Sequence, residues 1–559
     1  MNYNAMQILR SNFIALKNRI KFRTIKMSIR KTISIRSALE TLIILIPFFV
    51  YIIHISYFKN WIVDDAGISI SFSRNLAYGY GLVPQAGQCP IECYSNFTWV
   101  LLLSTFFLIH NFDIVLTPKI VSAVLILATF VILFFILKKI SKHYLLASIV
   151  ILSLLAINTP FAIWTTSGME NPLYVFLIVL LLYQLQLLTE NDKKVSLLVG
   201  TGLNCALIAL TRPDGILYAA VFPVLLICQS IRNEKTFIRS LSKSLLIYLG
   251  SFFLIYGGYL LFRLNYFGYL FPNTYYAKGG PSFNDLINIL LFKQVALQKV
   301  SMLTSSFANE YGNLALVILF VLWIGLIFQH KFEFKYLPIG LIFVVSMLVF
   351  LLLPKDWMPE FRFATPFYIF LYILAFVVFE IWISYLIKNP RKKILFASIL
   401  IVTSLLGSGA IFLPRTKNFA NNPIVPMRDV ARDFGERFNK YADKLGLKDA
   451  SLLVPDVGGT LYTSKLKVFD LAGLCDSTIA HSIGKNQAVF FDYVFDTIKP
   501  TFIHTHYPWD GLARLDDDAR FRRDYVPIHE EWDEALQVFN GDYVRKDVLA
   551  GKSWDDYFK

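Results

Sequence analysis

Long apolar stretches separated by short polar segments run through the first three quarters of the chain. Several of them, such as 41–58 and 337–353, are apolar over most or all of a bilayer's thickness. The pattern predicts a polytopic α-helical membrane protein with about 11 transmembrane helices. The predicted spans are 42–58, 120–137, 144–157, 174–188, 195–210, 217–229, 245–261, 314–328, 337–353, 365–385 and 394–412.

Basic residues set the predicted orientation, because cytoplasmic loops carry an excess of Lys and Arg. The arm up to Arg36 holds nine Lys and Arg and no acid, which is typical of a cytoplasmic anchor near anionic lipid. Its length and charge before the first apolar stretch argue against a cleaved signal peptide. We predict that 99–110 lies at the outer membrane–water interface and does not span. Each large basic patch then falls on the cytoplasmic side, and residues 64–97 and the tail lie on the extracytoplasmic side.

The pattern changes near residue 414, where charge density rises and apolar stretches shorten. Segments 451–455 and 501–505 are predicted to be buried strands, and four apolar residues share one face of a predicted helix: Val430, Phe434, Phe438 and Tyr441. We expect a small extracytoplasmic α/β domain. The predicted domains are a basic arm 1–37, a transmembrane domain 38–413 and this domain, 414–559.

Composition narrows the class of protein. Of 559 residues, 56% are hydrophobic and only 17% are charged, whereas soluble domains have roughly 25% charged residues. The net charge of +15 is spread over patches between spans, so it does not predict a nucleic-acid partner. Cys89 and Cys93 flank Pro-Ile-Glu in the first outer loop, where a local disulfide is one interpretation that the spacing alone does not decide.

Ionisable residues concentrate at the outer ends of the predicted spans. Asp64 and Asp65 directly follow the first span, where charged carboxylates are costly without partners or water. A channel would more often carry ionisable residues midway along its spans, and a transporter would more often show broken helices and repeats. A polar rim above an apolar bundle suits a substrate with its lipid tail in the membrane.

Several motifs resemble one family. DDAGISISFSRNLAYGYGLV and ECYSNFTWVLLL, followed in order by LTRPDG, FPNTYYAK, DWMPEFRFATP and DVGGTLYTSKLKVFDLAGLCD, resemble bacterial membrane glycosyltransferases of the GT-C superfold. Within that superfold they are most similar to the terminal arabinofuranosyltransferase-like family, over 61–476. The chain departs from the family pattern in having Ser71-Phe72 for the usual Arg-Tyr, Cys93 for Gly and Tyr80 for His. These departures bear on the identity of the transferred sugar more than on the class of reaction.

The resemblance implies inverting transfer of a sugar from a polyprenyl-phosphate donor to an acceptor hydroxyl. The acceptor would be a cell-envelope glycan, glycolipid or protein at the outer face of the bacterial inner membrane. The catalytic carboxylate is expected in the first outer loop. Asp64 or Asp65 would remove the acceptor proton, a choice the sequence leaves open, and Asp65 could instead cap the following helix.

The other site residues follow from the chemistry of a departing phosphate and of sugar hydroxyls. Cations stabilise the phosphate, and the candidates are Arg212, Lys278, Arg362 and Arg74. The candidates for sugar or acceptor binding are Glu92, Glu170, Asn96, Trp99, Asp214 and Asp356. Structural alternatives stay open: an Arg212–Asp214 salt bridge, pairing of Arg362 with Asp356 or Glu360, a Lys278 side chain at the lipid interface, and Glu170 at a helix N-terminus.

Cofactor signals are weak. The sequence has no phosphate loop or nucleotide-binding fingerprint, so a soluble nucleotide-sugar donor is not expected. His504 and His506 share one face of a predicted strand, but two histidines do not make a metal site; no metal is assigned, and a divalent cation is left open. Asp470 and Asp476 are expected to be structural. Two other functions compete: a non-catalytic carrier of lipid-linked sugars, and an assembly subunit of an envelope-polymer complex.

Overall fold

A computed structural model describes residues 35–190, 194–232, 237–279, 333–353 and 357–558, with the single positions 287 and 301. Residues 1–34 of the basic arm, the predicted span 314–328 and Asp356 lie outside the described residues.

Helices make up the membrane half. They are α1 Ile35–Ser56, α2 Asp64–Ala77, α3 Phe97–Leu108, α4 Leu116–Ile140, α5 Tyr144–Ile157, α6 Thr159–Thr166, α7 Asn171–Glu190, α8 Val195–Thr211, α9 Val221–Arg232, α10 Phe237–Phe267, α11 Asn273–Ala277, α12 Leu337–Leu352, α13 Thr365–Leu386 and α14 Pro390–Asn421. Short 3₁₀ turns cover Pro213–Ala220, Phe334–Tyr336 and Arg362–Ala364.

Six of the described helical segments are long and apolar enough to cross a membrane, or seven if the bent pair α5–α6 forms one span. Each of the six overlaps a predicted span, so the polytopic helical class is confirmed. The count of about 11 spans stays a prediction. The segment predicted to lie at the interface forms the 12-residue helix α3.

Two helix boundaries differ from the prediction for identifiable reasons. The predicted span 144–157 continues, after a bend of 68°, into α6; the Asn158 side chain caps α6 by accepting from the Phe161 amide at 2.8 Å. The last predicted span was ended at Phe412, but α14 continues through Pro414 to Asn421. A proline removes one hydrogen bond but does not have to end a helix.

The tail is a small α/β domain, as predicted. Its strands are β1 Ser451–Val454, β2 Lys467–Asp470, β3 Phe502–Thr505, β4 Tyr525–Asp533 and β5 Val538–Arg545, in the order β2-β1-β3-β5-β4. β1 pairs parallel with β2 and β3, whereas β5 is antiparallel to β3 and β4. Its helices are α15 Met427–Val430, α16 Arg437–Lys444, α17 Gly458–Thr463, α18 Ser477–Ser482, α19 Gln487–Asp492, α20 Trp509–Ala513, α21 Ala519–Asp524 and α22 Asp555–Phe558.

The tail packs on the segment between α2 and α3, the predicted first outer loop, through one shared apolar cluster. Phe72 of α2 and Tyr94 of the loop join Leu452, Val468 and Phe438 of the tail in that cluster. Phe438 comes from the predicted apolar helix face and packs on Phe502 of β3 within the tail, so the cluster connects the tail's own core to the membrane half. Burial of apolar area is the main favourable contribution to such a contact.

Polar contacts fix the same junction. The Gln85 side chain accepts from the Val468 amide at 2.8 Å and donates to the Leu466 carbonyl at 3.0 Å, and Gln88 donates to the Val468 carbonyl at 3.0 Å. Since β2 is an edge strand, these two glutamines cover backbone groups that would otherwise lack sheet partners.

A disulfide crosses the junction as well. Cys93 of the first outer loop pairs with Cys475 of the tail, and their Cα atoms are 4.7 Å apart. The interpretation of a local Cys89–Cys93 disulfide is therefore wrong, because Cys89 is a free, exposed thiol.

Candidate functional site

Asp64 holds the tail domain. It is 5% exposed at the start of α2, and its carboxylate oxygens accept from the backbone amides of Gly458 at 3.1 Å and Gly459 at 2.7 Å. These glycines open α17, directly after β1. Burial raises the pKa of Asp64 well above its usual range, while the two amide donors oppose the shift.

Glycine is required on both sides of this contact. A Cβ on Gly67 would lie 2.5 Å from the Gly458 carbonyl carbon, and a Cβ on Gly458 would lie 1.8 Å from the Asp64 carbonyl oxygen. The backbones of α2 and α17 therefore touch directly. The Asp64 amide also donates to the Val425 carbonyl at 3.1 Å, so Asp64 is bound on both sides to segments that follow α14.

Asp65 faces a different neighbour. Its Oδ2 lies 4.0 Å from a guanidinium nitrogen of Arg362, and its side chain remains 19% exposed. The helix begins at Asp64 with Val63 as its N-cap and no side-chain capping bond, so the interpretation of Asp65 as the cap is wrong. Asp65 is thus the more accessible of the two carboxylates and lies beside a cation.

Arg362 is buried in a pocket of aromatic rings and sulfur atoms. Its guanidinium lies 4.8 Å from the Phe363 ring centroid and contacts the sulfurs of Met169 and Met358 at 3.4 and 3.3 Å. Glu360, one of the two alternative partners predicted for Arg362, pairs with Arg415 of α14. Pairing of Arg362 with Asp356 or Glu360 stays a prediction.

Arg212 also packs on the Phe363 ring, with its guanidinium 4.7 Å from the ring centroid. Its guanidinium pairs with Glu170 at 3.0 Å and with Asp214 at 3.0 Å. The predicted salt bridge to Asp214 is therefore formed, and Arg212 already balances two carboxylates.

The acid Glu170 connects this pair to the first outer loop. Its second oxygen accepts from the Asn96 amide at 2.8 Å, and Asn96 also exchanges hydrogen bonds with Ser69 of α2. Trp99 is fully buried, with its indole N–H donated to the Gly168 carbonyl at 3.0 Å. Asn96 therefore connects α2 to Glu170, and Trp99 binds the neighbouring Gly168. Their predicted contact with a sugar stays a prediction.

Glu92 has a partner that sequence reasoning missed. Its carboxylate makes a two-point ion pair with Arg263 near the end of α10, at 2.7 and 3.0 Å, and accepts from the Tyr259 hydroxyl at 2.6 Å. Burial raises the pKa of Glu92 above its usual range although Arg263 opposes the shift. An arginine within an apolar stretch is the signal that could have found this pair.

Two predicted phosphate ligands lie elsewhere. Arg74, in the last turn of α2, donates to the Tyr462 carbonyl at 2.9 Å and lies 4.6 Å from the Tyr462 ring centroid, so it holds the end of α17. Lys278 is exposed at the end of α11. Their role towards a phosphate stays a prediction.

The tail histidines and acids have structural partners. His504 pairs with Asp542 at 2.7 Å and His506 with Asp456 at 2.8 Å. Among the described residues, no group of three or more His, Cys, Asp or Glu could hold a metal ion. Asp476 caps α18 through the Ile479 amide at 3.0 Å.

Asp470 shapes the turn that carries the disulfide. It accepts from the Ala472 and Cys475 amides at 2.8 and 2.7 Å, and burial raises its pKa to about 8. Its geometry agrees with the structural role expected for it.

Comparison with solved structures identifies the architecture. The oligosaccharyltransferase of Archaeoglobus fulgidus in its apo form superposes with a TM-score of 0.53 at 12% identity, covering 83% of this chain and 69% of that one. ArnT from Cupriavidus metallidurans, bound to undecaprenyl phosphate, superposes with a TM-score of 0.54 at 12% identity, covering 92% and 99%. The chain has the GT-C fold.

The GT-C fold expected from the motifs is thereby confirmed. A second structure of the Archaeoglobus enzyme, AglB, with an inhibitory peptide and a dolichol-phosphate, matches with a TM-score of 0.50 at 11% identity and covers 93% and 75%. No protein-family model and no curated protein matches the sequence. At this identity the likeness extends to the fold, and the arabinofuranosyltransferase-like assignment stays a prediction.

Proposed function

We propose that the protein is an integral membrane glycosyltransferase that moves a sugar from a polyprenyl-phosphate donor to an acceptor hydroxyl. The observation that carries the proposal is the Asp65–Arg362 pair, which lies just beyond the first span. The GT-C fold supports it, since the structural neighbours include one bound to undecaprenyl phosphate and one bound to a dolichol-phosphate.

Asp65 is the base in this proposal. Inverting transfer needs one carboxylate to take the acceptor proton as the anomeric carbon is attacked. Both oxygens of Asp64 already accept hydrogen bonds from Gly458 and Gly459, so Asp64 positions α2 and the tail. Asp65 is the more exposed of the two acids, with 19% of its side chain accessible, and an acceptor hydroxyl would approach it from that side.

Arg362 stabilises the leaving phosphate in this proposal. An arginine matches a phosphate through two parallel hydrogen bonds, and stabilising a developing anion is a large part of catalysis. Arg212, which pairs with Glu170 and Asp214, is the second candidate.

The remaining features come from the sequence resemblance. The acceptor would be a cell-envelope glycan, glycolipid or glycoprotein, and the reaction would occur at the outer face of the bacterial inner membrane. The Cys93–Cys475 disulfide supports an extracytoplasmic loop and tail, because disulfides persist in oxidising compartments.

The test is sugar transfer by the purified full-length protein in nanodiscs, using radiolabelled prenyl-phosphate sugars. We expect Asp65→Asn to lower the transfer rate about 10²–10⁴-fold. Asp64→Asn should cost about 1–3 kcal/mol of stability by leaving one buried amide without an acceptor and should retain measurable transfer. Asp449→Asn, at an exposed acid of the tail, is the matched control.

Two outcomes would contradict the proposal. Full transfer by Asp65→Asn, together with loss of transfer in a normally folded Asp64→Asn, would exchange the roles of the two acids. Movement of labelled lipid across the bilayer without any transfer would instead favour the carrier function.

A further inference from the structure

A cavity of about 270 Å³ lies where the first outer loop, the segment between α10 and α11, and the edge strand β2 meet. Its walls include Gln88 of the loop, Tyr269 and Phe271 of the segment, and Lys467 of β2. Its described lining residues include neither Asp65 nor Arg212 nor Arg362. The cavity is therefore separate from the residues assigned to the donor phosphate.

One residue that lines this cavity, Asn273, carries a buried acceptor without a partner among the described residues. Asn273 is 3% exposed, and its amide nitrogen donates to the carbonyls of Gly473 at 2.7 Å and Leu474 at 2.8 Å. These bonds fix the side chain, yet its Oδ1 has no hydrogen-bond partner among the described residues. Leaving a buried acceptor without a donor is unfavourable, so this position favours a ligand that brings an O–H or N–H group.

The charges around the cavity favour a neutral ligand. The Asp476 carboxylate accepts from the Ile479 amide and the Tyr493 hydroxyl, and Glu92 is paired with Arg263. Lys467 is the one basic residue among the described lining residues, and its ammonium lies 5.1 Å from the Phe469 ring centroid. A phosphate would find little free positive charge here.

Aromatic rings complete the chemistry. Tyr269 and Phe271 are 39% and 44% exposed. Tyr269 stacks on His481 and Phe271 on Tyr275, and the exposed part of each ring offers a flat apolar surface. A second cavity of about 240 Å³ shares Tyr269 and Ser477 with the first and continues past His481 and Asn486. The two cavities together form a groove. Aromatic rings in its lining could pack on the faces of sugar rings, and side-chain amides in its lining could bind sugar hydroxyls.

We propose that this groove, which we call the loop–tail groove, binds the saccharide part of the acceptor, with a sugar hydroxyl donating to Asn273 Oδ1. The assignment to the acceptor rests on the proposed transferase function, whereas saccharide binding itself does not. The Asn273 amide donates to the Glu92 carbonyl at 3.0 Å, so the groove is attached to the loop that leads to Asn96.

Cys89 provides the assay, because it is a free, exposed thiol that lines the cavity. The full-length protein in nanodiscs is alkylated with N-ethylmaleimide, and modification of Cys89 is followed by peptide mass spectrometry. The probes are methyl glycosides and disaccharides of glucose, mannose, galactose, N-acetylglucosamine and arabinose. We expect at least one of them to slow Cys89 alkylation about fivefold or more and in a saturable way, as displacement of solvent from a filled pocket requires.

Matched variants decide whether the groove is responsible. Tyr269→Ala should abolish the protection, whereas Trp532→Ala, which removes an aromatic residue 46% exposed on β4, should retain it. Asn273→Leu should also abolish it, and Tyr269→Ala decides if that variant fails to fold.

Three outcomes would overturn the inference: no saccharide protects Cys89, protection persists in Tyr269→Ala, or only undecaprenyl phosphate protects. The Asp65→Asn variant separates this inference from the proposed function, because it should lose transfer and keep saccharide protection.

Discussion

At the residue scale, buried carboxylates are stabilised by two different kinds of partner. Asp64 accepts from backbone amides of another part of the chain, whereas Glu92 is matched by a guanidinium. Backbone amides can donate to the Asp64 side chain whether or not it is charged, but a buried guanidinium that loses its acid keeps an unpaired charge. Asp64→Asn and Glu92→Gln should therefore have different effects on stability.

We predict that Glu92→Gln destabilises the protein by about 3–5 kcal/mol, because Arg263 then stays buried without a counter-charge. Thermal unfolding in detergent measures the effect as a lowered midpoint. Adding Arg263→Met to Glu92→Gln should recover part of the loss, since it removes the unpaired charge. Glu531→Gln, whose side chain is 68% exposed, is the control; an unchanged midpoint for Glu92→Gln would show that the pair is dispensable.

At the scale of elements, the contact between α2 and α17 depends on the absence of side chains. We predict that Gly458→Ala loosens the tail, because its Cβ would meet the Asp64 carbonyl oxygen at 1.8 Å and overpacking costs about 1–3 kcal/mol. Limited proteolysis of the tail should become faster, and sugar transfer should fall.

The matched control is Gly409→Ala in α14, where no atom lies within 4 Å of the added Cβ. It should leave both the proteolysis rate and transfer unchanged. Equal proteolysis of the two variants would mean that the tail does not depend on this contact.

The sequence predicted elements better than contacts between them. Spans overlapping α1, α4 and α7, and strands β1 and β3, were recognisable because their apolar patterns are local. The glycines that bind Asp64 lie hundreds of residues away in sequence, and the arginine that pairs with Glu92 lies more than a hundred residues away. No local pattern carries that information. The two adjacent acids therefore looked equivalent in the sequence, although they face different neighbours.

At the scale of the whole molecule, a disulfide joins the membrane half to the tail in addition to the main chain. Cys93 and Cys475 are 382 residues apart in sequence, so their pairing was not accessible from spacing. In the sequence, Cys475, which lies five residues after the buried Asp470, was visible only as part of a motif.

We predict that peptide mapping without reduction finds a Cys93–Cys475 linked peptide and a Cys89 that is fully alkylated. Cys475→Ser should release Cys93 for alkylation, and Cys89→Ser should leave the linked peptide intact. A Cys89–Cys93 peptide in the native protein would contradict the pairing. Loss of the cross-link should also lower the unfolding midpoint, because the disulfide contributes about 2–4 kcal/mol to the free energy of unfolding.

The two margins of the tail sheet are protected in different ways. β4 carries His529, Glu530 and Glu531 at one margin, and such charges discourage pairing with another chain. At the opposite margin, Gln85 and Gln88 of the membrane half hydrogen-bond the backbone of β2 and so block pairing with another strand. We expect the tail produced alone to self-associate through an uncovered β2, because in the intact protein a loop several hundred residues upstream covers that edge.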